Sequence, residues 1–98
     1  MAEVNGSYVK LFKAKGEFVW HCHEHEEEFF LVLRGVLHIK LRDGEVTLNE
    51  GEFFIVPQGV DHLPYAPSEA HVLLFEPKNV VNTGQAVSDK TVQSPEWV

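Results

Sequence analysis

Along this chain, apolar and polar residues alternate with a period of two in short runs, which Gly, Pro, Asn and Asp interrupt about every eight to twelve residues. The clearest run is Val36 to Arg42, where Leu37, Ile39 and Leu41 alternate with His38, Lys40 and Arg42. That pattern predicts a strand with one buried face and a polar face turned to solvent or to the inside of a barrel. Asp43-Gly44 is a strong hairpin signal, so this strand is expected to pair antiparallel with Glu45 to Leu48. Asn49-Glu50-Gly51 turns the chain again before Glu52 to Val56. Upstream, a polar lead over Met1 to Ser7 precedes predicted strands at Tyr8 to Ala14, Glu17 to His23 and Phe29 to Leu33, broken at Lys15-Gly16 and Arg34-Gly35. Downstream, Pro57 to Gly59 is a turn. Val60 to Pro67, with prolines at 64 and 67, reads as irregular or at best an edge, and His71 to Phe75 is the last clear strand before Pro77. No segment has helical period, so the fold class is all-β, an antiparallel sandwich or barrel.

Composition narrows the class. At 98 residues the chain can bury only about 60–65 % of its unfolded surface, enough for one core. The expectation is a single domain over 1–98, with a barrel core at about 8–77 and a polar, turn-rich tail at 78–98 that carries Trp97. A net charge of −7 with only eight Lys and Arg disfavours nucleic acid, because that affinity comes from cations displacing counterions. The single cysteine, Cys22, cannot form an internal disulfide. No charged leader with an apolar core opens the chain, and no apolar run reaches the roughly 20 residues of a membrane span. A cytoplasmic location is therefore expected.

The chemistry concentrates in Trp20 to Gly35, where three histidines and four glutamates feed into the apolar run Phe29 to Leu33. In an extended segment His21 and His23 share a face while Cys22 looks the other way, which makes half of a metal site. His62, three residues past the turn glycine Gly59, brings another imidazole from a distant part of the chain. His25, Glu24, Glu26 and Glu27 read as solvated loop residues, His38 and His71 as satisfied strand histidines, and Phe30, Val32 and Phe54 as core or pocket lining. No Ser-His-Asp or Cys-His arrangement stands out.

These two stretches resemble the paired motifs of the cupin family. The first motif is matched by Gly16, His21, His23, Glu28 and Gly35, with four residues between His23 and Glu28 and six between Glu28 and Gly35. Gly16 stands one residue closer to the first His than is usual. The second motif is matched by Gly51, Pro57, Gly59 and His62, and departs only at its last position, where Ala66 replaces Asn. The resemblance implies an antiparallel double-stranded β-helix, a jelly-roll barrel. It also implies a divalent transition metal, Mn, Fe, Co, Ni, Cu or Zn, held by His21, His23, Glu28 and His62; the six-residue gap to Gly35 favours Glu28 over Glu27. Four protein ligands leave up to two positions open on an octahedral ion, where a small organic acid or sugar could bind. A dioxygenase or isomerase of the kind the family hosts is one expectation, and a binding or sensing module using the same pocket is the alternative. A homodimer is expected, because Phe29, Leu31 and Leu33 alternate away from the barrel interior and Trp97 needs a place to be buried.

Overall fold

Seven antiparallel strands organise residues 1–77, the part of the chain described by the computed structural model. They are β1 (Ala2–Val4), β2 (Ser7–Glu17), β3 (Glu28–Arg34), β4 (Leu37–Leu41), β5 (Gly44–Leu48), β6 (Phe53–Val56) and β7 (His62–Pro77). The expected tail and Trp97 lie outside the described residues. The central element is β7. It runs against β2 along most of its length, takes β3 on its other side over its C-terminal half, and takes β4 there over residues 62–65. Strand β6 continues beyond β3, β5 beyond β4, and β1 beyond β2.

The alternation seen in the sequence decides which faces meet. Phe30 and Val32 of β3, Leu37 and Ile39 of β4, Leu48 of β5, Val56 of β6 and Ala66, Ala70, Val72 and Leu74 of β7 form one buried cluster. A single sheet whose strands all feed one cluster must curl around it. The polar face of β4 points outward: His38 stacks on Tyr65, with ring centroids 4.8 Å apart, and its Nδ1 lies 3.0 Å from Thr47 Oγ1. Gly35 makes the turn into β4 at φ +87°, where a Cβ would stand 3.0 Å from the Glu69 carbonyl oxygen and 3.1 Å from Ala70 Cα. Only glycine fits there without displacing backbone.

Three expectations need correction. Lys15-Gly16 does not end a strand: β2 runs through to Glu17, and the register with β7 shifts between Ala14 and Gly16, a bulge that Gly16 accommodates at φ +81°. Residues 18–27 accordingly do not form the predicted second strand, and only His21 pairs, in a single bridge with His62. Second, Val60 to Pro67 is no edge: from His62 onward it is the start of β7, with neighbours on both sides. The prolines are tolerated because the ladder does not need their N–H groups. Pro67 sits in the stretch where the β2 register breaks, and Pro64 contributes its carbonyl, which accepts from Phe18 N at 3.0 Å. Third, the polar lead contains β1, joined to β2 by a hairpin at Asn5-Gly6 with φ of 49° and 77°. Positive φ at both turn positions is what Asn-Gly favours, and the signal stands in the sequence.

Candidate metal centre

The bridge between residues 21 and 62 joins the two histidine-bearing stretches. His21 N donates to the His62 carbonyl at 3.0 Å, and His62 N donates to the His21 carbonyl at 2.9 Å. Nearby, Gly59 N donates to the His23 carbonyl at 2.8 Å, so the turn Pro57 to Gly59 is tied to the same loop. Glu28 arrives as the first residue of β3, opposite Val56. The result is that His21, His23, Glu28 and His62 are all buried, with exposures of 5, 6, 2 and 1 %. Candidate ligand atoms of His21, His23 and Glu28 lie within 4.8 Å of one another. His62 joins through Glu28, with Nε2 at 2.9 Å from Oε1, and its ring centroid is 4.2 Å from that of His21. Glu27 is exposed, as are Glu24 and His25.

The local backbone differs from the extended segment expected around Cys22, and so do the rings. Those of His21 and His23 meet edge to face at 5.3 Å and 79° rather than lying one above the other. Cys22 is partly exposed, burial and the Asp61 carboxylate push its thiol up, and it is not among the residues whose ligand atoms converge.

Hydrogen bonds fix the tautomers. His21 Nδ1 is 2.8 Å from the Val19 carbonyl oxygen and His62 Nδ1 is 2.9 Å from that of Val60. A carbonyl only accepts, so both Nδ1 atoms carry protons, and in the neutral rings each Nε2 offers a lone pair. Both lone pairs meet a carboxylate, which also only accepts. The Nε2 atoms of His21 and His23 are buried without a hydrogen bond, although they lie 3.9 and 3.3 Å from Glu28 oxygens. Burying such groups unsatisfied is costly, and a positive charge among them removes the cost. Burial would raise the Glu28 carboxyl, but the three imidazoles outweigh it and hold it well below the usual carboxylate range. Burial would likewise lower His23, and the Glu28 carboxylate reverses this and holds it above its ordinary value. The cluster is thus built to receive either protons or a cation, and imidazole with carboxylate is the donor set of divalent transition metals.

Beside the cluster lies a cavity of about 370 Å³, with His21 and Glu28 in its wall and Phe18, Phe30, Leu37, Pro64 and Leu74 among its apolar lining. Lys10 of β2 also lines it, a buried cation paired with the buried carboxylate of Glu76 on β7. Burial pushes the Glu76 carboxyl up to about 7 against the pull of Lys10. Sequence reading passes over this pair. Its signal is the alternation itself, because Glu76 shares the buried face of Val72 and Leu74.

Residues 8–78 match the Cupin domain family. The chain belongs to the cupins. A cupin-2 domain protein of Shewanella frigidimarina is 45 % identical, with a TM-score of 0.76 over 78 % of this chain and 74 % of that one. A protein from Neisseria meningitidis is 27 % identical, with a TM-score of 0.71 and 78 % of each chain covered. The uncharacterised Bacillus subtilis protein YdbB is 40 % identical over 48 residues, which span 49 % of this cupin and 42 % of that relative. The all-β class and the cupin resemblance expected from the sequence both stand. No helix among the described residues is long and apolar enough to cross a membrane.

Proposed function

We propose that this cupin holds a divalent transition metal, Mn, Fe, Co, Ni, Cu or Zn, on His21, His23, Glu28 and His62, and binds a small organic acid or sugar beside it. The supporting observation is the convergence of three buried imidazoles on the buried Glu28 carboxylate: His21 and His62 are oriented by Nδ1 hydrogen bonds to Val19 and Val60, and the Nε2 atoms of His21 and His23 have no hydrogen bond. When bound, such a metal supplies Lewis acidity or a redox centre. The protein's own part is to orient the imidazoles of His21 and His62, to keep Glu28 ionised, and to present Phe18, Phe30, Leu37 and Leu74 to the neighbouring cavity. The cavity suits a ligand with a compact apolar body and a polar group directed at His21 and Glu28.

In the catalytic form of this reading the reaction is of the dioxygenase or isomerase type. A non-catalytic binding or sensing module that uses the same pocket is the second reading. We further read residues 1–98 as one cytoplasmic domain, a homodimer, with a small-molecule ligand rather than nucleic acid or membrane as its partner.

The test is elemental analysis of untagged protein beside a His21→Ala/His62→Ala variant. About one equivalent of metal is expected in the parent and none in the variant, with an unchanged far-UV circular dichroism spectrum, because the strands keep their buried apolar faces. A full equivalent retained by the variant would show that the site is misassigned. Turnover of candidate organic acids by loaded protein then separates enzyme from binding module.

A further inference from the structure

This acidic chain gathers cations at one cavity. Of the eight Lys and Arg in the sequence, three line the hollow beside the candidate metal centre: Lys10, Lys13 and Lys15, all from β2. Of the fifteen Asp and Glu, only Glu17 and Glu28 do so among the described residues. Glu17 is engaged by Lys40 at 3.1 Å, and Glu28 by the imidazoles. Lys13 and Lys15 are exposed, whereas Lys10 is only 5 % exposed and faces the interior. A net charge of −7 repels small anions overall, so cations focused at an apolar-walled cleft raise the potential where an anion would enter.

Register gives the cavity floor a direction. Lys10 stands opposite Leu74 and Leu74 opposite Phe30, so one inward row runs from β2 through β7 to β3, roughly 10 Å at about 4.8 Å per strand. Its first member is a cation and the next two are apolar. The Phe30 ring lies 6.1 Å from that of His62, and Glu28 stands two residues before Phe30 on the same face of β3. The floor therefore passes from ammonium over hydrocarbon to the carboxylate and imidazoles of the cluster. A structural role explains Lys10 poorly. A buried ion pair contributes little over apolar residues of similar volume, and the partner, Glu76, keeps Oε2 buried without a hydrogen bond.

We propose that the cavity selects carboxylic acids over sugars, with the ligand's carboxylate held by Lys10, its apolar body on Leu74 and Phe30, and its far end at the candidate metal centre. The choice of acid over sugar rests on the reading of this cavity as a small-molecule site. Lys10 is the specificity-determining residue. Lys13 and Lys15 act at the mouth, by attraction across solvent. Glu76 sets the strength of the clamp, because it shares the Lys10 ammonium with the ligand's carboxylate. A sugar brings no charge for Lys10 and sets several hydroxyls on an apolar floor, where desolvating them without partners is costly.

NMR titration of the full chain at about pH 7.5 tests this, with butyrate, benzoate and phenylacetate as acids, their amides as neutral twins and glucose as the sugar. Metal-free protein is used for the comparison, because zinc itself attracts carboxylates. Each acid is expected to bind at least about tenfold more tightly than its amide, the size of one charge-assisted hydrogen bond, and glucose not to bind. Lys10→Met should abolish that preference and spare amide binding, whereas Glu76→Gln should increase it. Lys13→Glu/Lys15→Glu, at exposed positions, should weaken every acid and no amide, and about 1 M NaCl should erase the difference. The proposal is overturned by acids that bind no better than amides or not at all at about 10 mM, or by a preference that survives Lys10→Met. Should Lys10→Met not fold, a preference unmoved by both of the other variants overturns it. Zinc uptake, measured in parallel, keeps the two readings apart. Protein that takes up zinc but shows no acid preference loses this inference and keeps the metal site, and the opposite pair of results does the reverse.

Discussion

Removing metal from this cupin with a chelator at pH 7.5 is expected to lower its melting temperature by about 10–20 °C without unfolding it at 25 °C. The magnitude follows from the cluster. Without a cation, the Nε2 atoms of His21 and His23 are buried and unsatisfied, which at about 1–3 kcal/mol each places the cost of the metal-free site near 2–6 kcal/mol. Linkage gives a similar figure: a ligand at a hundredfold excess over its Kd stabilises the native state by about 2.7 kcal/mol. For a domain of this size each kcal/mol moves the midpoint about 4–8 °C. Scanning calorimetry on protein shown by elemental analysis to start loaded, with and without chelator, measures the shift. At pH 5 the chelator is expected to do little, because protons compete for imidazoles whose unperturbed pKa is about 6.5. Superimposable melting curves at pH 7.5 would refute the claim that these four side chains form a tight site.

Other outcomes follow from residues away from the metal cluster. Glu76→Leu is expected to cost about 3–5 kcal/mol in urea unfolding, because it strands the buried Lys10 ammonium, and Lys10→Met less, because the Glu76 carboxyl, already raised to about 7, takes up a proton; the double substitution should cost less than Glu76→Leu alone. A Glu76→Leu cost under about 1 kcal/mol would show that the pair is solvated after all. In metal-free protein, Glu76 is raised from 4.5 to about 7, so the folded state binds the proton more tightly than the unfolded one. Its contribution is therefore full at low pH and fades as pH rises from about 4.5 to about 7, and Glu76→Gln should remove that part of the slope in urea midpoints between pH 5 and pH 7.5. Gly16→Ala, with nothing within 4 Å of the added carbon, should cost about 1–2 kcal/mol for its positive φ. Gly35→Ala should cost clearly more, since its carbon meets backbone at 3.0 Å, and equal costs would contradict the crowding argument.

How much of this was legible in the sequence depends on what sets each feature. From Val36 to Val56, strands and turns are specified locally, by alternation and by Asp43-Gly44, and they read off directly. The extents of β2 and β7 are not set locally. Gly16 and Pro67 both look like breaks, yet they fall near one register shift, where the two strands absorb a glycine and a proline together. A single residue type cannot announce that its partner strand carries the matching irregularity. The spacing of His21, His23, Glu28 and His62 is legible because motif spacing records which strand ends meet. Lys10 and Glu76 have no motif, and their pairing exists only because β2 and β7 run side by side.

The backbone explains why the barrel can hold a cluster that is unfavourable by itself. Glu28 begins β3 and is locked opposite Val56, two residues before Phe30 enters the core. His62 begins β7, and its own N–H and carbonyl are both committed to His21. The cluster is therefore fixed by main-chain pairing and by the core behind it, not by attraction among its members. Small metal-dependent folds such as zinc fingers reverse this order, because there the ion supplies the folding energy. Here the apolar cluster of Val32, Ile39, Val72 and Leu74 supplies it, and acceptors held against one another are the consequence of strands that would meet in any case. On the proposed reading, that arrangement would favour a cation without requiring one for folding, which is why metal loss is expected to shift the melting point and leave the barrel standing.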